Sequence, residues 1–105
     1  MPSLASARLL LVETNPIERL LVRSAITLRN APIALREASD LDLALQLLRQ
    51  EHYDLVLIGG LGRDWTPSAA LAAVAGVAPG VRARTRSQGP ADPELLLREI
   101  RDTAA

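Results

Sequence analysis

The sequence predicts an α/β fold, a three-layer sandwich in which helices cover both faces of a parallel sheet of about four strands. Three observations lead there. Residues 8–12 and 55–58 are short, continuously apolar runs, the pattern of strands buried on both faces. Between them lie segments with helical spacing of apolar residues, opened by capping residues and prolines. The two kinds of segment alternate as βαβαβαβα, an order that calls for right-handed crossovers between parallel strands. A length of 105 residues fits one domain, taken as 1–105, and a hydrophobic share of 49% is enough to build its core.

The first strand, Arg8-Leu9-Leu10-Leu11-Val12, ends at Glu13-Thr14-Asn15-Pro16. Asn15 suits an N-cap and Pro16 the first helical position, while Glu18 falls three residues after Asn15 as in a capping box. The helix that follows has an apolar stripe of Ile17, Leu20, Leu21, Ala25 and Leu28, predicted to face inward. Glu18, Arg19, Arg23 and Arg29 are predicted to face out. Asn30-Ala31-Pro32 breaks this helix, and residues 33–38 read as the second strand. Ser39 or Asp40 caps a second helix with Leu41, Ala44, Leu45 and Leu48 inward.

The third strand, Leu55-Val56-Leu57-Ile58, stops at Gly59-Gly60-Leu61-Gly62. Thr66-Pro67 then opens an alanine-rich helix over 68–77, ended by Ala78-Pro79-Gly80. Residues 81–87 alternate. Val81, Ala83 and Thr85 point one way and Arg82, Arg84 and Arg86 the other, a strand with one covered and one wet face. Asp92-Pro93 opens a last helix whose buried set is Leu96, Leu97 and Ile100. The run Leu95-Leu96-Leu97 is too apolar for one buried stripe, which predicts a homodimer or another protein interface.

Composition excludes several functions. Twelve basic residues balance twelve acidic ones, against a general nucleic-acid or anionic-membrane binder. Cysteine is absent, which removes disulfides, thiolate catalysis and zinc–thiolate sites together. His52 is the only histidine, so no multi-histidine metal site exists; near a helix C-terminus it reads as a surface residue. Every basic residue is arginine, so lysine chemistry is excluded. No nucleophile–base pair is visible, and an enzyme is not expected. Neither a signal peptide nor a membrane-length apolar run occurs, so a cytoplasmic protein is expected.

Three motifs in register resemble a response-regulator receiver domain, of flavodoxin-like architecture. Leu9-Leu10-Leu11-Val12-Glu13-Thr14-Asn15-Pro16 resembles the receiver's opening strand, acidic pair and capped helix. Asp54-Leu55-Val56-Leu57-Ile58 resembles its third strand, and Pro90-Ala91-Asp92-Pro93-Glu94-Leu95-Leu96 the start of its last helix. The resemblance implies bacterial two-component signalling, in which an aspartate ending the third strand accepts a phosphoryl group. An acidic pair there holds magnesium, and a Thr or Ser and a lysine complete the site. Phosphoryl transfer needs that cation set to offset its charge.

This chain departs from the pattern at almost every such position. Gly59 stands where the acceptor belongs, Glu13-Thr14 replaces the acidic pair, and the lysine is missing; only Thr85 matches. The stretch between Thr85 and Gly89-Pro90 is also too short for a fourth helix and fifth strand. The expectation is a pseudo-receiver, with no catalytic, cofactor or metal residues, that acts by binding a signalling or regulatory protein. An alternative is a sensor for a small anion or nucleotide at the carboxyl edge of the sheet, where the loop Gly59-Gly60-Leu61-Gly62-Arg63 would lie.

Two further features remain open in sequence alone. Arg82, Arg84 and Arg86 read either as a docking face for an acidic partner or as edge protection against strand addition. Trp65 reads either as an exposed partner anchor or as a lid folded back over the emptied pocket.

Overall fold

A computed structural model describes residues 7–86 and residue 98. The elements are β1 (Ala7–Val12), α1 (Pro16–Leu28), β2 (Ile33–Ala38), α2 (Leu41–Gln50), β3 (Leu55–Ile58), α3 (Pro67–Val77) and β4 (Arg82–Thr85). The expected last helix and its leucine run lie outside the described residues. All pairings are parallel, and the strand order is β2-β1-β3-β4. β4 is thus an edge strand among the described residues.

Alternation along β1 and β3 builds two cores. Leu10, Val12, Val56 and Ile58 face α2 and α3, where Leu41, Ala44, Leu48, Ala70 and Val74 close over them. Leu9, Leu11, Leu55 and Leu57 face α1 and meet Val22, Ala25 and Ile26. The apolar runs are continuous because these central strands are covered on both sides. In α2, Leu47 joins the buried set alongside Leu41, Ala44 and Leu48, and Leu45 is half-buried.

Helix α1 corrects the expected stripe at Ile17, Leu20 and Leu28 and keeps it at Ala25. Glu18, Val22, Ala25 and Ile26 are buried, whereas Ile17, Leu20 and Leu28 are exposed by 66%, 50% and 78%. The buried stripe is displaced by one residue, a rotation of about 100°. Glu18, expected to face solvent, turns inward to an arginine. Arg19, expected to face solvent, is half-buried, and its Nη1 donates to the Glu13 carbonyl at 2.8 Å. The capping box is also absent. Asn15 Oδ1 accepts from the Ile17 N–H at 2.9 Å, but the Asn15 N–H donates to Glu13 Oε2, at 3.1 Å.

Of the two candidates Ser39 and Asp40, Asp40 caps α2, and Thr66 caps α3 as read from sequence. Asp40 Oδ1 accepts from the Leu43 N–H at 2.8 Å, and Thr66 Oγ1 from the Ala69 N–H at 3.1 Å. Asn30, just past α1, takes a φ of 48°, a left-handed turn that asparagine tolerates better than most side chains. Edge strand β2 is tied down by Arg23, whose Nε and Nη2 donate to the two Glu37 carboxylate oxygens at 2.7 and 2.9 Å. This fork holds the Glu37 carboxyl below its ordinary pKa.

Candidate functional site at the carboxyl edge of the sheet

Strand order reverses between β1 and β3, and in open parallel sheets the crevice outside the carboxyl ends at that point is where ligands bind. Glu13 leaves β1 there, Gly59 leaves β3, and Thr85 and Arg86 leave β4. Backbone bonds draw these ends together. The Gly59 N–H donates to the Val12 carbonyl at 2.8 Å, Thr14 N–H to Gly60 O at 2.9 Å, and Arg86 N–H to Ile58 O at 2.8 Å.

Glu13 is fully buried. Its Oε1 accepts from the Gly60 N–H at 2.8 Å, and its Oε2 serves Asn15. A methyl group built on Gly59 would overlap Glu13 Oε1 and lie 3.1 Å from its Cδ. The longer glutamate side chain therefore fills the volume in which a residue-59 side chain would start. Gly59 is required there for space; its backbone is not in the left-handed region, unlike Gly62, whose φ is 77°.

Arg86 supplies the countercharge. Expected on the wet arginine face, it is instead buried, with 8% exposure, while Arg82 and Arg84 are exposed. The Arg86 N–H continues the β4 ladder to Ile58, and its side chain turns inward to the two glutamates at the sheet's edge. Its Nη1 lies 3.9 Å from Glu13 Oε1 and 3.6 Å from Glu18 Oε1, ion pairs between side chains that are all nearly inaccessible. Burying a carboxylate without such a partner is costly, which explains why both the arginine and the rotated α1 are needed. Glu18 and Arg86 were not legible as a pair in sequence. The signal was the buried position of Glu13 itself, which demands a cation in a chain that has no lysine.

The remaining expectations resolve individually. Thr85 is exposed rather than on the covered face shared by Val81 and Ala83, because it lies at the strand's end. Thr14 is also exposed. Trp65 is half-buried and lies against the α2–α3 core. With Thr14, residues 59–62, Thr85 and Arg86 it lines a cleft of about 420 Å³. His52 is a surface residue, its Nε2 3.5 Å from Asp54 Oδ1 at the opposite end of the sheet.

A divalent ion of the receiver kind does not fit these residues. Both Glu13 oxygens already face N–H donors and one faces the Arg86 guanidinium, while Gly59 offers no side-chain ligand. Among the described residues, no three His, Cys, Asp or Glu side chains gather as a metal group.

No family model matches the sequence, and no curated protein matches it. Solved structures do. A signal receiver domain of an HD domain-containing protein from Pseudomonas fluorescens aligns with a TM-score of 0.81 at 21% identity, over 99% of this chain and 90% of that one. A receiver domain of a CheY-like response regulator from Methanospirillum hungatei gives 0.77 at 14% identity, covering 93% of each chain. A two-component transcriptional regulator from Clostridium phytofermentans gives 0.78 at 14%, over 94% and 92%.

The fold is that of a response-regulator receiver. At these identities the likeness concerns the receiver fold alone, and it matches the architecture expected from sequence. The receiver frame makes the site's departures concrete: the carboxylate at the edge comes from β1 and not from β3. No helix among the described residues is long and apolar enough to cross a membrane.

Proposed function

We propose that this receiver-fold chain works without phosphotransfer, as a protein–protein interaction module in two-component-type signalling. The observation that carries the reading is the Glu13 carboxylate lodged in the volume above Gly59. The anion that a receiver acquires by chemistry is here a permanent part of the chain, with Arg86 as its fixed countercharge. A site in that condition has no acceptor to modify, which leaves surface recognition as the way to act. A cytoplasmic, non-enzymatic adaptor fits this reading.

The test is intact mass after incubation with magnesium and acetyl phosphate. The mass is expected to stay unchanged. A stable single-phosphate adduct on an aspartate such as Asp54 or Asp64 overturns the proposal.

The cleft beside Trp65 favours one second reading, a small-ligand sensor. Against an anionic ligand stands the Gly60 N–H, already used by Glu13. A melting-temperature screen across phosphates and nucleotides decides it, since a bound ligand raises stability by mass action.

A further inference from the structure

We propose that the cleft beside Trp65 binds an uncharged nitrogen heteroaromatic ring of the nucleobase kind, its face on the Trp65 indole and its polar edge at the Thr14 and Thr85 hydroxyls. The proposal rests on the ligand-sensor reading of this cleft and gives its ligand a chemistry.

Place and size narrow the ligand first. The cleft lies at the carboxyl edge of the sheet, where strand order reverses between β1 and β3. Its volume of about 420 Å³ is near the lower end of the range for small-molecule sites, about 300–1,000 Å³. One ring system fits such a space. Gly59, Gly60 and Gly62 line one wall without side chains, so a flat ligand can approach the backbone there. A methyl group built on Gly62 would meet only Thr14 Cγ2, at 4.0 Å.

Charge selects the class. All the lining residues are described, and Arg86 is the one among them with a formal charge. Its side chain is only 3% exposed and faces Glu13 and Glu18 at 3.9 and 3.6 Å. Glu13 in turn is fully buried, with the Asn15 and Gly60 N–H groups on its oxygens. A charged ligand would leave water for a cleft whose ions already serve one another, and that transfer is costly without a partner. A neutral ligand avoids the cost. The polar side chains left to meet it are the hydroxyls of Thr14 and Thr85, both on exposed residues. A hydroxyl both donates and accepts, which suits a heterocycle carrying donors and acceptors on one edge. Trp65 supplies the aromatic surface: half-buried, it packs on the α2–α3 core and also lines the cleft. An indole face favours an aromatic partner over an aliphatic one of equal size.

The experiment titrates the isotope-labelled full chain with adenine, followed by amide shifts and by the Trp65 indole N–H, a single resonance because the chain has one tryptophan. Saturable shifts centred on Trp65, Gly60 and Gly62 are expected at millimolar adenine. Thr14→Val with Thr85→Val should weaken binding by at least about fivefold. Trp65→Leu should weaken it to a similar degree. Both threonines are exposed, so the double variant tests the proposal even where Trp65→Leu fails to fold. Adenosine monophosphate and inorganic phosphate should bind no tighter than adenine, and cyclohexanol should bind more weakly. The proposal falls if no saturable shift reaches these residues, if cyclohexanol binds as well as adenine, or if the threonine replacements leave affinity unchanged. It falls also if phosphate or adenosine monophosphate binds more tightly, an outcome that leaves the ligand-sensor reading standing with an anion in this place. Silence from every compound removes that reading too, while phosphorylation independence keeps its own mass measurement.

Discussion

Glu13 and Gly59 share one volume. The carboxylate that ends β1 reaches across to β3, accepts the Gly60 N–H, and occupies the space into which any side chain at position 59 would grow. The consequence is a mutual dependence that can be measured. Gly59→Ala should cost about 1–3 kcal/mol, the usual penalty for overfilling a closed site. In a Glu13→Ala background the added methyl group meets empty space, and the same substitution should cost much less. Denaturant unfolding of the four proteins in this cycle checks the coupling; purely additive effects would mean that the two residues do not compete.

Arg86 and Arg82 carry the same side chain in very different surroundings. Arg86→Met removes the cation facing two buried carboxylates and should lower stability by about 3–5 kcal/mol. Arg82→Met, on the exposed edge, should stay within about 0.5 kcal/mol of wild type. Paired urea titrations measure both. Similar losses at the two positions would return Arg86 to the solvated face.

Helix α1 gives a direct test of which stripe is buried. Leu28→Gln should be nearly neutral, because this leucine is 78% exposed. Val22→Ala should cost about 1–3 kcal/mol, because Val22 lies in the α1-side core. The reverse ranking would support the stripe expected from hydrophobic spacing alone.

Stability should fall at acid pH partly through Glu37. The Arg23 hydrogen bonds hold its folded-state pKa below the ordinary 4.5. Above 4.5 the carboxylate is ionised in both states and its stabilisation is fully present. Below that value the unfolded chain takes up the proton first, so the contribution is lost as pH falls through the lower folded-state pKa. Glu37→Gln should therefore flatten the melting-temperature profile below pH 4.5 and leave its shape near neutrality unchanged. Melting curves at closely spaced pH values check this.

At the alkaline end Tyr53 has the opposite sense. Burial, helped by the hydrogen bond its hydroxyl donates to Glu51 at 2.8 Å, raises the phenol above its ordinary pKa of 10.0. Its contribution is complete below pH 10.0 and is lost as pH rises through the folded-state value. Tyr53→Phe should remove that component of alkaline destabilisation, read from the same melting series.

Local chemistry in the sequence by itself determined the element order from β1 to β4, the places where caps stand and the central strands. Leu9 to Val12 and Leu55 to Ile58 are apolar at every position, which only a strand covered on both faces needs, and Asp40 and Thr66 are caps whose partners lie three residues away. The glycine at position 59 and the absence of lysine were equally legible, because they are matters of residue identity.

Only the tertiary structure decided the orientation of α1, the inward turn of Arg86 and the placement of the Glu13 side chain above Gly59. Each depends on atoms far apart in sequence meeting in one buried space: Glu13 with Gly60, and Arg86 with Glu18. Hydrophobic periodicity assigns a helix face by counting apolar residues. It cannot register that a buried charge calls for a countercharge from elsewhere in the chain, as Glu13 and Glu18 meet Arg86.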